Sequence, residues 1–512
     1  MNIDLHTLLP LAIAIPLGMG FILPLLGKKL TRLADTLATL ATALLVCLSV
    51  LLLIGLHQAG KPQVYWFGGW SVTASGTVFG INLVLDGLSA LMLVVVAVVS
   101  FAATLFSTRY MDRYTARGKY YSLFMLMITG MNGCILTGDM FNLYVFLEIA
   151  AVSSYALVAF GCERDELEAS FKYLILGCVA STFVLLGVAL LYAQYGALNM
   201  AQLGQRMSMV APGRGSILAL LLMLSGLGVK AALVPFHAWL PDAHPSAPAP
   251  ISAMLSGVLI KAIGVYAIIR IVFNVYGFND QLGMALMVLG TLSMVVGVVM
   301  ALNQWDFKRL LAYHSISQIG YVILAIGLGT PLGILAGLFH LANHAIFKSL
   351  LFLSAGAVDY RTGTRQLEEM GGLAQRMPST ARSSMIASMS IAGVPPFNGF
   401  FSKLLIIIAC VQAGRWGFAL WAVIVSILTL ASFMKVQKYA FYGQLKAKWA
   451  QVKDVPLIMR CSMALLALLC IAMSLLLIPG LKAVVLDSAR DALVQGVDGY
   501  RTAVSALLGA GS

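Results

Sequence analysis

Apolar runs of about 20 residues, separated by short polar loops, fill most of this sequence. One such run, folded as a helix, is long enough to cross the hydrocarbon core of a bilayer. Only 10% of the 512 residues are charged and 60% are hydrophobic, which is too apolar a balance for a water-soluble protein of this size. The sequence therefore predicts an all-α integral membrane protein.

Marking each apolar run as one helix predicts about fourteen transmembrane spans. They cover 5–26, 33–56, 81–107, 121–139, 140–160, 170–195, 217–240, 248–275, 283–302, 310–328, 331–356, 382–412, 417–442 and 461–480. No basic segment precedes the first run and no small-residue cleavage site follows it, so we expect this span to be retained rather than removed as a signal peptide.

The net charge of +13 would suit a nucleic-acid partner, but the positions of the 33 basic residues argue against one. Most of them lie in loops that follow odd-numbered spans, whereas the other loops contain only Lys61, Arg206, Arg214 and Arg415. Cytoplasmic loops are the ones that accumulate lysine and arginine. We therefore expect an inner (cell) membrane protein with both termini outside the cytoplasm.

The spans divide the chain into four regions. Residues 1–107 hold the first three spans and an outside loop, 108–275 and 276–442 hold five spans each, and 443–512 hold the last span and a tail predicted to lie along the outer interface. In the outside loop, alternating bulky residues around Gly68-Gly69 predict a hairpin with a two-residue turn. Trp66 and Trp70 suit a membrane interface.

Two short patterns recur five spans apart. Lys172 in FKYL is matched by Lys348 in FKSL, and VPF at Pro235 is matched by VPPF at Pro395-Pro396. Because five is odd, the two copies would have opposite orientations, which predicts two inverted five-helix repeats. The prolines remove backbone hydrogen bonds, so we expect the seventh and twelfth helices to be discontinuous.

One acidic residue, Glu148, lies near the middle of an apolar run, and Lys230 lies inside another. An ionised, unpartnered carboxylate or amine at that depth is costly, so each is the obvious partner of the other. A pair that exchanges a proton is one interpretation, and a structural ion pair that fixes helix packing is the alternative. Sodium would need several oxygen ligands, and a single carboxylate favours protons instead.

Further candidates lie on either side of this pair. Lys261 and Lys403 lie inside the apolar runs of the eighth and twelfth spans, and His237 is two helical turns from Lys230, hence expected on the same face. His244 follows in a proline-rich bend. Asp306 opens the tenth span and is predicted mainly to cap it.

A polar stripe marks the eleventh span, where His340, His344 and Lys348 follow one another at intervals of four residues. Paired histidines at this spacing bind zinc in some proteins, but no third ligand accompanies them. A proton path is the favoured interpretation, since neutral histidine both donates and accepts. The seven cysteines form no CxxC pattern and no haem, iron–sulfur or dinucleotide signature is present, so we expect neither a metal nor a cofactor.

These motifs resemble the antiporter-like subunits shared by respiratory complex I, Mrp-type cation/proton antiporters and membrane-bound hydrogenases. The resemblance rests on FLEIAAVSSYALVAFG at Glu148, GVKAALVPFHAWLPDAHPSAPAPISAMLSG at Lys230, HLANHAIFKSLLFLSAG and GVPPFNGFFSK at Lys403. It covers about the third to the thirteenth span. The FLEIAAVSSY wording and the length look nearer to the Mrp D-type and hydrogenase branches than to complex I itself.

The resemblance implies a proton-translocating subunit of a multisubunit complex, coupled to Na⁺/H⁺ antiport or to a redox arm. It assigns Glu148 as pair partner, Lys230 as central lysine, Lys261, His340 and His344 as connectors, and Lys403 as exit lysine. It implies lipid and other membrane subunits as partners, including a homologous antiporter-like subunit. Because Glu148 is the single carboxylate at membrane depth, any sodium route is expected in a partner subunit.

Two alternatives stay open on the residues alone: a stand-alone transporter of a small solute, and a redox-active membrane subunit. Purification alone or within a large complex would test the first, and an absorbance spectrum of the isolated chain would test the second. If the chain serves an NADH- or ferredoxin-linked oxidoreductase or a hydrogenase, it is expected to be its non-redox, ion-translocating part.

Overall fold

The computed structural model describes residues 5–26, 30–69, 80–210 and 213–505. The first half contains α1 (Leu5–Leu26), α2 (Thr31–Ala59), α3 (Gly87–Arg113), α4 (Arg117–Leu136), α5 (Met140–Val158), α6 (Arg164–Tyr195), α7 (Met200–Ser208), α8 (Arg214–Lys230), α9 (Leu240–Ser246) and α10 (Ala249–Val275). The second half contains α11 (Asp280–Leu302), α12 (Phe307–Gly327), α13 (Pro331–Thr362), α14 (Pro378–Ala392), α15 (Asn398–Gln412), α16 (Trp416–Tyr442), α17 (Leu457–Leu477), α18 (Pro479–Lys482), α19 (Ser488–Val494) and α20 (Gly496–Ser505).

Eleven of these helices are long and apolar enough to cross a membrane, which makes this a multi-pass integral membrane protein. They are α1, α2, α3, α5, α6, α10, α11, α12, α13, α16 and α17. The predicted spans 217–240 and 382–412 contain interrupted helices. Helix α8 ends at Lys230 and α9 begins at Leu240, and α14 ends at Ala392 before α15 begins at Asn398. The two predicted discontinuities are therefore present.

Helix boundaries follow from capping side chains. A side-chain oxygen at each of several N-caps accepts a hydrogen bond from a backbone N–H that has no partner inside the helix. Such caps are Asp86 of α3, Asp139 of α5, Asn279 of α11, Asp306 of α12 and Thr330 of α13. The capping role predicted for Asp306 is thus confirmed, with Oδ1 accepting from the Arg309 N–H at 2.9 Å.

Helices α10, α12 and α13 form the centre of the protein, since the apolar segment of each is completely buried. Helices α12 and α13 are nevertheless the least apolar of the eleven. In a bilayer the outer helices meet lipid, so polar side chains collect on the helices that other helices surround. The interior of this protein is therefore its most polar membrane-embedded part.

The sequence predicts a hairpin whose two-residue turn is Gly68-Gly69, and this turn is wrong. Strand β1 (Gln63–Trp66) pairs antiparallel with β2 (Asn82–Leu85), and Trp66 lies opposite Asn82. The chain between the two strands therefore comprises residues 67–81. The partner strand is this distant in sequence because β2 directly precedes α3 and is held at the start of that helix. Trp70 lies outside the described residues.

In the tail α18–α20, helices α19 and α20 pack on the end of α10 that carries Arg270. Both guanidinium Nη atoms of Arg270 donate to Asp86, at 2.6 and 2.9 Å, and the Tyr500 ring lies 5.2 Å from the Arg270 guanidinium carbon. Asn274 donates to the carbonyls of Ala492 and Gly496. Burial alone would raise the pKa of the Asp86 carboxyl, and Arg270 with Ser89 lowers it below its usual range. We call this face of the protein the tail side.

Breaking this ion pair should destabilise the protein strongly. Arg270→Met leaves the Asp86 carboxylate buried without its cation, which typically costs about 3–5 kcal/mol. We expect a clearly lower thermal unfolding midpoint of the purified protein in detergent. The double variant Asp86→Asn/Arg270→Met removes both charges and should recover much of that loss; equal midpoints for the single and double variants would contradict the expectation.

Candidate functional site

The ion pair predicted between Glu148 and Lys230 is present. The last residue of α8 is Lys230, whose side chain is 1% exposed, and its Nζ lies 3.7 Å from Glu148 Oε1 of α5. The Glu148 side chain is 27% exposed, so one of its sides faces away from the protein interior. The lysine is thus enclosed, and the carboxylate borders the protein surface.

Two hydroxyl groups complete this pair, and sequence reasoning missed both. Lys230 Nζ donates to the Tyr155 hydroxyl at 3.1 Å, and the Ser181 hydroxyl donates to Glu148 Oε1. Tyr155 lies seven residues after Glu148 on α5 and therefore on the same helical face. That spacing is a usable signal for Tyr155, whereas Ser181 comes from another helix, α6.

His237 does not share a helical face with Lys230, which corrects the prediction. The helix ends at Lys230 and residues 231–239 form turns, so a spacing of seven residues carries no helical meaning there. His237 is half-buried in this segment. His244 belongs to α9 rather than to a bend and is fully buried, with its ring between Trp239 and Phe352 at 6.0 and 5.6 Å.

The buried lysines of α10 and α13 both bind main-chain carbonyls. Lys261 donates to Ser256 O at 2.6 Å, within the π-helical part of α10, and Lys348 donates to Leu311 O of α12. The hydroxyls of Ser256 and Ser315 lie 2.6 Å apart and connect α10 with α12. Carbonyl oxygens stabilise an ammonium without pairing its charge.

The polar stripe of α13 leads to the second helix interruption. The rings of His344 and His340 lie 6.4 Å apart, and His340 Nδ1 lies 2.9 Å from the Ser402 hydroxyl of α15. The next residue, Lys403, donates to Ile391 O at 2.8 Å and lies 4.9 Å from the Tyr321 ring. The Ile391 carbonyl is available because α14 ends one residue later.

Several buried polar atoms in this region have no hydrogen-bond partner within the described part of the protein. They are both ring nitrogens of His244 and of His344, Nε2 of His340, Nδ1 of His314, and both amide atoms of Gln318. Buried polar atoms of this kind are normally satisfied, and small polar ligands such as water do so where protein groups do not. The central helices therefore offer unused donors and acceptors along the stripe.

Five buried polar residues of α12 were not among the predicted site residues: Lys308, His314, Ser315, Ser317 and Gln318. His314 Nε2 lies 2.8 Å from the Ser432 hydroxyl, and Lys308 donates to Ala247 O at 2.8 Å. His314 and Gln318 are four residues apart, the same spacing that identifies the stripe of α13. Applying that criterion to the tenth span would have found them.

A polar cavity of about 800 Å³ opens on the side opposite the tail. The acidic N-terminal end of α6, which is largely exposed, contributes Glu163, Asp165, Glu166 and Glu168 to its wall. Lys172 bridges this wall to Asp242, with its Nζ 2.8 Å from Glu168 Oε1 and 3.2 Å from Asp242 Oδ2. Asp306 also lines the cavity and pairs with Arg365 at 3.2 Å, away from the buried stripe.

The inner end of this cavity reaches the segment that holds His244. Pro245 and Ser246 line the cavity, and the Pro245 carbonyl accepts hydrogen bonds from Lys308 and Arg365. Lys308 is buried, 2% exposed, and its hydrogen bonds to the carbonyls of Pro245 and Ala247 hold it against the segment that contains His244.

Interrupted membrane helices that enclose lysines and histidines define an integral membrane protein with ionisable groups inside the bilayer, a feature of ion-translocating proteins. Residues 137–429 match the family described as NADH:quinone oxidoreductase/Mrp antiporter, TM, and 70–121 match the N-terminal region of complex I chain 5. The chain belongs to the NADH:quinone oxidoreductase/Mrp antiporter family.

Known proteins of two kinds are similar over most of the chain. The NADH-quinone oxidoreductase subunit N of Desulforudis audaxviator is 38% identical over 84% of this chain and 82% of its own length. The D-type Na⁺/H⁺ antiporter subunit of Alkalihalophilus pseudofirmus is 35% identical over 86% of this chain and 88% of its own length. A chain of the Mrp complex from a Dietzia species superposes with a TM-score of 0.89 at 30% identity, covering 98% of this chain and all of that one. The predicted family resemblance is confirmed, and the chain is similar to members of both branches to nearly the same extent.

Proposed function

We propose that this chain is a proton-translocating subunit of a multisubunit membrane complex. The observation that carries the proposal is the Glu148–Lys230 pair at the interruption after α8, with Lys230 enclosed and Glu148 at the border of the protein. The relatives are subunits of an Na⁺/H⁺ antiporter and of a quinone oxidoreductase, which supports coupling to one or other kind of partner.

The pair moves a proton by changing the environment of the lysine. Beside ionised Glu148 the ammonium is favoured, and away from it the apolar surroundings favour the neutral amine. Each cycle of approach and separation therefore binds and releases one proton. The segment 231–239 forms turns rather than a continuous helix, which makes the interruption the natural hinge.

Beyond Lys230, the proton follows the buried polar residues of the central helices: Lys261, Lys348, His344, His340 and Lys403. The contacts from His344 through His340 and Ser402 to Lys403 support the last part of this route. His244 and Lys308 supply a branch toward the polar cavity, which we assign as the entrance. His237, at the interruption itself, and Asp306, at the cavity, are accessory groups.

In this proposal the polar cavity faces the cytoplasm and the tail side faces outward, as the distribution of basic loops suggests.

Fourteen spans would result if α4, the interrupted pair α8–α9 and the interrupted pair α14–α15 also cross the bilayer. The five-span units 108–275 and 276–442 would then form inverted repeats. The two interruptions support this relation. Lys172 and Lys348 do not, since Lys172 is exposed on the third turn of α6 and Lys348 is buried midway along α13.

A homologous antiporter-like subunit is the partner we assign to the exposed side of Glu148. Exposed apolar residues of α5, among them Phe141, Val145 and Val152, surround that side. Sodium, if the complex transports it, passes through a partner subunit, because the buried site offers one carboxylate among hydroxyls and amines.

A double-mutant cycle tests the pair. Glu148→Gln and Lys230→Ala should each stop most coupled transport, and combining them should add almost nothing, because each removes the same interaction. The measurement is proton transport by membrane vesicles that contain the complete complex. Losses that add in the double variant would mean that the two residues act separately and would count against the proposal.

A further inference from the structure

The hydrogen bonds around the buried pair do not join its two charged groups directly. The separation of 3.7 Å between Lys230 Nζ and Glu148 Oε1 is longer than a hydrogen bond. Each group instead bonds to a hydroxyl: Lys230 donates to Tyr155 and Glu148 accepts from Ser181. The structure therefore contains the pair in a partly separated arrangement.

We propose that Tyr155 and Ser181 are the alternate partners that Lys230 and Glu148 take when the ion pair separates. The inference rests on the proposed function, since it explains how the pair opens without leaving a buried charge uncompensated. A hydroxyl oxygen accepts from the ammonium, and a hydroxyl hydrogen donates to the carboxylate. Each charged group thus keeps one strong hydrogen bond as the other charge moves away.

The position of the Tyr155 hydroxyl is fixed by its neighbours. A methyl group on Gly177 would collide with this hydroxyl, so the absence of a side chain at Gly177 leaves the room that the phenol occupies. The Tyr155 ring packs edge-on against Tyr173 at 4.5 Å, and Tyr173 stacks on Trp239 at 4.1 Å with an angle of 7° between the rings. The three rings come from α5, from α6 and from the interrupted segment 231–239.

This aromatic stack also connects Tyr155 with the hinge. Trp239 Nε1 donates to the carbonyl of Val229 at 2.8 Å, the residue directly before Lys230. A shift of the interrupted segment therefore acts on the backbone of Lys230 and, through Tyr173, on the ring of Tyr155. The hydroxyl and the lysine are positioned by the same element.

The titratable groups that face Lys230 are Glu148 and Tyr155 from α5, Cys178 from α6 and Cys134 from α4. Among them Glu148 is the only carboxyl group. Removing a hydroxyl that holds the pair apart favours the direct pair, which retains the lysine proton. The rate of transport should then need a higher pH to reach half of its maximum.

The test is proton transport, as a function of pH, by membrane vesicles containing the complete complex with Tyr155→Phe or Ser181→Ala. Loss of one hydrogen bond to a charged group predicts a rate lowered about tenfold or more and a profile shifted by about one pH unit upward. Phenylalanine keeps the ring stack, so packing is preserved. Ser181→Thr retains the hydroxyl and should keep the normal profile. Tyr144→Phe removes a phenol one turn before Glu148 on the same helix and serves as the matched control.

Slower transport with an upward shift in both hydroxyl-deleted variants, and normal profiles for Ser181→Thr and Tyr144→Phe, would support the inference. Normal rates and profiles for Tyr155→Phe and Ser181→Ala would overturn it. If Tyr155→Phe fails to assemble, Ser181→Ala alone decides by the same criteria. The proposed function has a separate test: transport by an assembled Lys230→Ala variant would refute that function, whereas loss in Lys230→Ala with normal hydroxyl variants would refute only this inference.

Discussion

Lys230→Ala abolishes coupled proton transport while the complex still assembles: that is the largest effect we expect. The side chain is almost completely enclosed, and its Nζ lies near both the Glu148 carboxylate and the Tyr155 hydroxyl. From there it can release a proton to the buried polar residues of the central helices. Alanine removes the proton carrier and leaves its place empty. Transport driven by the complete complex in membrane vesicles, normalised to the amount of assembled subunit, measures the loss.

Lys438→Ala is the matched control, because Lys438 is exposed near the end of α16 and lies 5.5 Å from the Tyr439 ring. It should transport normally. Normal transport by an assembled Lys230→Ala variant would refute the proposed function, and loss of assembly in that variant alone would point to the structural ion pair instead.

His344→Leu should slow transport at least tenfold, since a positioned proton-transfer group contributes about 10²–10⁴-fold to a rate. His344 is fully buried on α13, and both of its ring nitrogens lack partners among the described residues. Leucine therefore breaks no hydrogen bond to these residues, while every donor and acceptor of the side chain is lost. The line from Lys348 to His340 is then interrupted in its middle.

The same variant should leave Lys230 able to exchange its proton. Infrared spectra after a pH jump follow this exchange through the Glu148 carboxylate band, which is identified by its disappearance in Glu148→Gln. His57→Leu, an exposed histidine at the end of α2, is the control and should affect neither measurement. Undiminished transport by His344→Leu would remove α13 from the proton route.

The sequence is most informative where polar residues are rare. In an apolar run each lysine, histidine or glutamate stands out, and the cost of burying it limits the explanations to a partner or a path. That cost predicts the pairing of Glu148 with Lys230, and the structure brings them within 3.7 Å. The missing backbone donors at Pro235 and Pro395-Pro396 predict the two interruptions, which are present.

Prediction fails where a local pattern is extended across an interruption or a loop. Helical spacing predicts His237 on the face of Lys230, but the helix ends between the two residues. The glycine pair predicts a hairpin turn at Gly68-Gly69, but the partner strand lies beyond residue 80 and is positioned by α3.

The sequence by itself determined that this chain lies in a membrane, where its helices break, and several of the charged groups that lie inside. Those properties depend on the cost of transferring each residue into hydrocarbon, which is local to the residue. Only the tertiary structure decided that Lys230 bonds to Tyr155 while Glu148 bonds to Ser181, that Arg270 closes on Asp86, and that His340 meets Ser402. Hydroxyls and carbonyls occur on every helix, and placing them in a membrane helix costs little free energy. Which of them reaches a given charge therefore depends on the helix packing that brings distant segments together.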